Sequence, residues 1–256
     1  MIDIHSHILP GIDDGSPSME VSMQMLRMAA EHGTTDIVAT PHSNLEFPYD
    51  DEVIKTLFQQ LSDNAAGIIN IHLGCDFHLS VDNVHDALAN PTKYTINGKG
   101  YLMVELPDLT SLTAMRSVFN RMLETRITPI ITHPERNPSV QSHLQDVESW
   151  VRDGCLLQVT AQSLTGRFGS RAKRFADSLF QADLVHFVAS DAHDCQDRVP
   201  ILDPAYKLVS QRWGAEKADN LFLYNPAAVL LGEPIYAVPS PRKSSLFSIF
   251  RRNLNY

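Results

Sequence analysis

Ile2-Asp3-Ile4-His5-Ser6-His7 opens the chain as an apolar, β-branched run and closes on two imidazoles. Alternate residues of an extended chain point to the same side, so His5 and His7 can grip one metal ion together. The pattern recurs downstream. Ile37-Val38-Ala39 leads through Thr40-Pro41 to His42, and Ile68-Ile69-Asn70-Ile71 leads to Gly74-Cys75-Asp76. Tyr101-Leu102-Met103-Val104 leads to Glu105, Pro129-Ile130-Ile131 to His133, and Val185-His186-Phe187-Val188 to Asp191 and His193. Leu156-Leu157-Gln158-Val159 is a seventh run without such an ending. Short apolar runs of this kind are the buried strands of a parallel sheet.

Helical spacing fills the intervals. Ser18 can cap a helix in which Val21, Met25, Met28 and Ala29 share a face. Ile54, Leu57, Phe58 and Leu61 repeat that spacing, as do Met115, Val118, Phe119 and Met122, and Val147, Trp150 and Val151 form a shorter stripe. Alternation of strand and helix gives an α/β fold. Seven strands predict a (β/α)7 barrel, smaller than the eightfold TIM form, with an open doubly wound sheet as the alternative. No GxGxxG or GxxxxGK[ST] loop follows any strand, which argues against a nucleotide-binding fold.

The C-terminal ends of barrel strands share one face. Six endings that carry His, Asp or Glu therefore predict one site. Mixed imidazole and carboxylate ligands suit zinc, iron or manganese better than calcium. There are more candidate ligands than one ion can use, so two or three ions are expected, with a carboxylate such as Glu105 able to bridge a pair.

Composition narrows the alternatives. A chain of 256 residues suits one barrel. A net charge of −9 argues against nonspecific nucleic-acid binding, which runs on phosphate neutralisation. Cys75, Cys155 and Cys195 form no CxxC pair, so a thiolate zinc site is not expected. A cysteine-based tyrosine phosphatase carries an arginine six residues after its nucleophile; here those positions hold Val81, Ala161 and Ile201. No apolar run reaches the roughly 20 residues of a membrane span, and the N-terminus lacks signal-peptide character, so the expected location is cytoplasmic. The domain is expected over residues 1–237, with Val238-Pro239-Ser240-Pro241 opening a basic tail over 238–256. With Arg242, Lys243, Arg251 and Arg252, that tail is expected to be a disordered basic segment, with contact to an acidic membrane surface or a partner as the alternative.

The motifs also resemble a known family. Asp3-Ile4-His5-Ser6-His7 with Leu9-Pro10-Gly11-Ile12-Asp13-Asp14-Gly15 resembles the opening of the polymerase-and-histidinol-phosphatase (PHP) superfamily. Ala39-Thr40-Pro41-His42, Val104-Glu105-Leu106-Pro107, Thr132-His133-Pro134-Glu135-Arg136-Asn137 and Ser190-Asp191-Ala192-His193 resemble its bacterial protein-tyrosine phosphatases, as do Gly166-Arg167-Phe168-Gly169 and Asn225-Pro226. The resemblance covers about residues 1–233. It implies a distorted barrel, three metal ions, and a phosphotyrosine substrate on a bacterial tyrosine kinase that controls capsule or exopolysaccharide synthesis. The implied ligands are His5, His7, Asp14, His42, Glu105, His133, Asp191 and His193. Asp76 stands where that family places a glutamate ligand, with His78 beside it as a further candidate. The implied phosphate-binding residues are Arg136 and Arg198.

His32, His72, His85, His143 and His186 match no motif and read as core or surface residues. Two other functions share the motifs. One is a histidinol-phosphate or other small-molecule phosphatase; the other is a non-catalytic, metal-stabilised module that binds a kinase tail.

Overall fold

The computed structural model describes residues 1–109 and 111–235; the basic tail expected over 238–256 lies outside them. Strand β1 (Ile2–Ser6) leads to α1 (Met19–Glu31), then β2 (Asp36–Ala39), β3 (His42–Ser43) and α2 (Asp51–Ala65). Next come β4 (Asn70–Leu73), β5 (Asp76–His78), α3 (Val81–Ala89), a 3-10 turn at Ile96–Gly98, β6 (Tyr101–Glu105) and α4 (Leu112–Glu124). Then follow β7 (Thr128–Thr132), α5 (Leu144–Asp153), β8 (Leu156–Thr160), α6 (Ala161–Thr165), α7 (Gly169–Gln181) and β9 (Phe187–Ala189). The last described elements are α8 (Asp203–Trp213), α9 (Ala215–Asp219), a short π-helix at Asn220–Tyr224 and α10 (Asn225–Leu231). Among the described residues no helix is long and apolar enough to cross a membrane.

All strand pairs are parallel, in the orders β1-β2-β4 and β3-β5-β6-β7-β8-β9. The two sheets are halves of one wall. β3 continues β2 past Pro41, and β5 continues β4 past Gly74-Cys75, while Gly74 N bonds Ala39 O at 2.9 Å and Asp76 N bonds Pro41 O at 3.1 Å. The wall closes where Asp191 N donates to His5 O (2.9 Å) and His7 N to Ala192 O (2.8 Å). Seven strand paths and a closed wall make the expected distorted barrel and dispose of the open doubly wound sheet.

Alternation along the strands divides the core. Ile4, Val38, Met103, Ile130, Leu156 and Phe187 point inward and pack together. Leu102, Val104, Ile131, Leu157, Val159 and Val188 point outward beneath the helices. Ile96 enters the interior, and Val229 and Leu230 of α10 pack there too. Gly74 makes room for Ile96: a Cβ there would lie 3.0 Å from its Cγ1.

Ser18 does cap α1, its hydroxyl accepting from Val21 N, but the buried stripe is Met25, Leu26 and Ala29, with Met28 only half-buried. Two strands begin two residues later than their apolar runs suggest. The ladder starts at Asn70 rather than Ile68 and at Phe187 rather than Val185, because those are the first residues opposite a partner, Asp36 and Gln158. Cys75 and Cys155 are buried, and burial pushes both thiols up, as inert cysteines require.

Candidate metal centre

The ends of the strands lift polar side chains above the apolar interior. Met103 packs inside, and two residues later Glu105 faces the mouth; Leu156 and Gln158 are related in the same way. On β1 the register slips between Asp3 and Ser6, a bulge that leaves Ile4 in the apolar layer and His5 in the site. His133 (φ 32°) and Asp191 (φ 54°) adopt left-handed backbone just beyond β7 and β9. Aspartate and histidine are among the non-glycine residues that adopt that conformation most readily.

Every residue the sequence reading proposed for the site lies at this mouth, and three sets of ligand atoms converge. Those of His7, Asp14, His42 and His193 lie within 4.8 Å of one another, as do those of His5, His7 and Asp76, and those of His42, Asp76 and Glu105. His133 and Asp191 stand beside these sets. Asp191 Oδ1 is 3.4 Å from His5 Nε2 and 3.5 Å from His7 Nε2, and His133 Nε2 is 3.9 Å from Glu105 Oε1. His78 Nδ1 reaches Glu105 Oε2 at 3.5 Å. The shorter Asp76 side chain still arrives: its Oδ2 is 3.4 Å from both His5 Nε2 and His42 Nδ1.

A second layer aims the imidazoles. His7 Nδ1–H donates to Asp13 Oδ2 at 2.8 Å, and His5 Nδ1–H donates to Gln158 Oε1 at 3.1 Å. His193 Nδ1–H donates to the Asp191 carbonyl at 3.0 Å. In each case it is Nε2 that faces the cluster, and the bond at Nδ1 fixes the ring orientation a metal ligand needs. Gly15 closes the Asp13-Asp14-Gly15 turn against β1; a Cβ there would sit 2.2 Å from His7 O.

Charge in the mouth is polarised. Burial pushes the Asp191 carboxyl up, but His5, His7, Arg136 and Arg198 outweigh it and hold the group well below the usual carboxylate range. Asp76 is held low against its burial by His5, His42 and His133. Burial alone would deprotonate His5, yet Asp76 and Asp191 raise it to about 9. His133 goes the other way, to about 3, through burial and the Arg136 guanidinium. Arg136 Nη1 and Arg198 Nη2 both bond Asp191 Oδ2, the latter at 2.6 Å, and the Arg136 guanidinium lies 4.3 Å over the Phe168 ring.

Sequence reading assigned no role to Gln158, Asp13 or Asp3. Gln158 had a signal, as the single polar residue in an apolar strand run. Asp3 is equally out of place inside β1: fully buried, it accepts from Ser190 N at 3.0 Å, and burial raises it to about 6 against that bond. Four of the five unassigned histidines have structural partners. His32 pairs with Asp203, His72 with Asp36, His143 with Ser139 O, and buried His186 Nδ1 accepts from Leu157 N.

Known proteins resemble this one throughout. Residues 1–231 match the family model described as capsular polysaccharide synthesis, CpsB/CapC. The tyrosine-protein phosphatase CpsB of Streptococcus pneumoniae is 30% identical over 244 residues, covering 92% of this chain and 100% of that one. The tyrosine-protein phosphatase YwqE of Bacillus subtilis is 30% identical over 256 residues, covering 98% and 100%. A crystal structure from the pair YwqE and CpsB, described as unique metal-dependent tyrosine phosphatases, superposes with TM-score 0.86 at 30% identity and covers 95% of this chain and 100% of that chain. A dihydropyrimidinase from Brevibacillus agri shares the fold alone, at TM-score 0.57 and 13% identity over 93% of this chain and 72% of that chain. With the family match running almost from end to end of the described fold, the chain belongs to the CpsB/CapC family of capsular polysaccharide synthesis proteins.

Proposed function

We propose that the chain is a metal-dependent protein-tyrosine phosphatase whose substrate is phosphotyrosine on a bacterial tyrosine kinase of capsule or exopolysaccharide synthesis. Asp76 carries the reading. It is fully buried, and neither of its oxygens makes a hydrogen bond; Oδ2 meets the His5 and His42 imidazoles at 3.4 Å. A buried carboxylate left so costs several kcal/mol unless a cation completes its surroundings. His42 Nδ1 and His193 Nε2 are buried in the same cluster without a hydrogen bond, each facing a carboxylate at 3.4 Å. These donors fit divalent metal. We assign His5, His7, Asp14, His42, Asp76, Glu105, His133, Asp191 and His193 as ligands to two or three ions. Mixed nitrogen and oxygen donors suit manganese, iron or zinc.

Bound ions of this kind polarise a phosphoryl group and acidify water, so that a nucleophile is available near neutral pH. The chain's own residues supply position. Arg136 and Arg198 each use one terminal nitrogen on Asp191 and keep further N–H groups for phosphate oxygens; Arg198 Nε is buried without a partner. A guanidinium fork matches phosphate geometry and stays charged. Gln158 and Asp13 hold the imidazoles at fixed angles, and Phe168 steadies Arg136. A phenolate leaving group, of pKa about 10, needs little assistance from an acid.

Turnover of a phosphotyrosine peptide, p-nitrophenyl phosphate and histidinol phosphate tests the reading. Phosphotyrosine hydrolysis should disappear with chelator and return with manganese, iron or zinc. Arg136→Ala and Arg198→Ala should each lower it at least about tenfold while elemental analysis shows metal retained. Preference for histidinol phosphate would move the assignment to a small-molecule phosphatase. Metal binding without hydrolysis of any of the three would leave only a binding module.

A further inference from the structure

Three large apolar side chains stand in water around one side of the mouth: Leu45 is 99% exposed, Leu109 92% and Val81 72%. They follow β3, β6 and β5, which are neighbours in the sheet order β3-β5-β6. Each has an exposed acid beside it in the chain, namely Glu46, Asp108 and Asp82. The loops that present them are tied down. Asn44 Oδ1 accepts from Glu46 N (2.9 Å) and Phe47 N (2.8 Å), a turn that throws Leu45 outward, while the Phe47 ring stacks on His42 at 6.0 Å. Asn83 Nδ2 donates to Ser43 O (2.7 Å) and His78 O (2.9 Å), clamping the loops after β3 and β5 together. Ser139 Oγ donates to Asp108 O at 2.6 Å and Asn137 Nδ2 to Pro107 O at 3.0 Å, which anchors the loop after β6. Hydrocarbon held out in water by hydrogen-bonded loops, at the border of a binding mouth, is a contact surface. The two arginines come from the loops after β7 and β9, so the mouth has a cationic side and an acid-and-apolar side.

We infer that this rim reads the polypeptide on either side of the phosphotyrosine, selecting segments with a bulky apolar residue and a lysine or arginine nearby. The inference rests on the phosphotyrosine reading of the site. Continuity and charge name the occupant. A segment that inserts one side chain between the arginines and the metal ligands must lay its neighbours on the bordering loops. Carboxylates there attract basic flanks and repel acidic ones, and the leucines and valine bury apolar ones. Free phosphotyrosine and p-nitrophenyl phosphate have no flanks and do not touch the rim.

The test compares kcat/KM of the metal-loaded protein on p-nitrophenyl phosphate and on two phosphotyrosine peptides, one flanked by leucine and lysine, the other by serine and glutamate. The wild-type protein should favour the first peptide at least about tenfold. The triple variant Leu45→Ser, Val81→Ser, Leu109→Ser should lose about tenfold on that peptide, chiefly through KM, with p-nitrophenyl phosphate changed less than about twofold. Glu46→Lys, Asp82→Lys, Asp108→Lys together should invert the basic-over-acidic preference. Equal efficiency on both peptides, or equal losses on peptide and p-nitrophenyl phosphate, would overturn the inference. So would sedimentation showing that the apolar variant abolishes self-association while the peptide ratio stays put, since the rim would then belong to a second copy. Failure to hydrolyse any phosphotyrosine compound is a different outcome and removes the phosphatase reading itself.

Discussion

Replacing Asp191 with asparagine keeps the shape of the side chain and removes its charge. Asparagine tolerates the left-handed backbone at this position, so the backbone is not a confounding factor. In the fold the Asp191 side chain is 1% exposed, its Oδ2 serving Arg136 and Arg198 and its Oδ1 facing His5 and His7. Without that charge, two guanidiniums and the adjacent imidazoles confront one another around a buried, uncharged side chain. Removing one partner of a buried ion pair costs about 3–5 kcal/mol. The two arginine side chains are 24% and 25% exposed, which relieves part of the repulsion, while the presence of two of them adds to it. We therefore expect the middle of the range, about 4 kcal/mol. In a protein of this size each kcal/mol moves Tm by about 2–4 °C, so Asp191→Asn should melt about 8–16 °C below the parent. Circular dichroism melts in excess chelator measure this without any contribution from bound metal. Adding Arg136→Met and Arg198→Met to the variant should restore part of the loss, because the uncompensated charges are gone. A fall of less than about 2 °C, or no recovery in the combined variant, would refute the charge argument.

Three other expectations follow from the same structure. Gln158→Leu frees the His5 ring and should weaken metal binding about 10–100-fold in competition with a chromophoric chelator, with the far-ultraviolet spectrum unchanged; parent-like affinity would remove Gln158 from the site. Gly15→Ala drives a methyl into the His7 carbonyl, so soluble yield and metal content should both fall, and a well-folded, metal-replete variant would contradict the close approach. His186, far from the metal site, is held at about 4 by burial and then by Lys217, whereas an ordinary histidine titrates near 6.5. The unfolded chain then binds the extra proton between those values, so this stability is complete above about pH 6.5 and is lost as pH falls toward 4, up to about 3 kcal/mol. His186→Asn keeps an acceptor for Leu157 N and should flatten that fall in urea unfolding from pH 7 to 4.5; an unchanged slope would rule the group out.

Much of the site was legible because a barrel converts linear order into spatial order. A run such as Tyr101-Leu102-Met103-Val104 announces a strand by its own composition, and the residue at its end goes to the common face whatever its partners are. Glu105, His42 and Asp191 could be placed in that way. Helix α1 was legible at its start, where Ser18 acts on an amide three residues away, but less so along its face, where Leu26 and not Met28 meets the sheet. Gln158 had its signal, yet its task requires His5, 153 residues distant, to be brought within 3.1 Å.

The sequence by itself therefore determined the strands, the helices between them, and the chemistry at the strand ends, since each of these rests on side chains within a few residues of one another. Closure of the wall between Asp191 and His5, the buried carboxylate of Asp76 without a hydrogen bond, and the joint grip of Arg136 and Arg198 on one oxygen were decided only by the tertiary structure. Those features depend on distances and burial between segments far apart in the chain, and local periodicity carries no information about either.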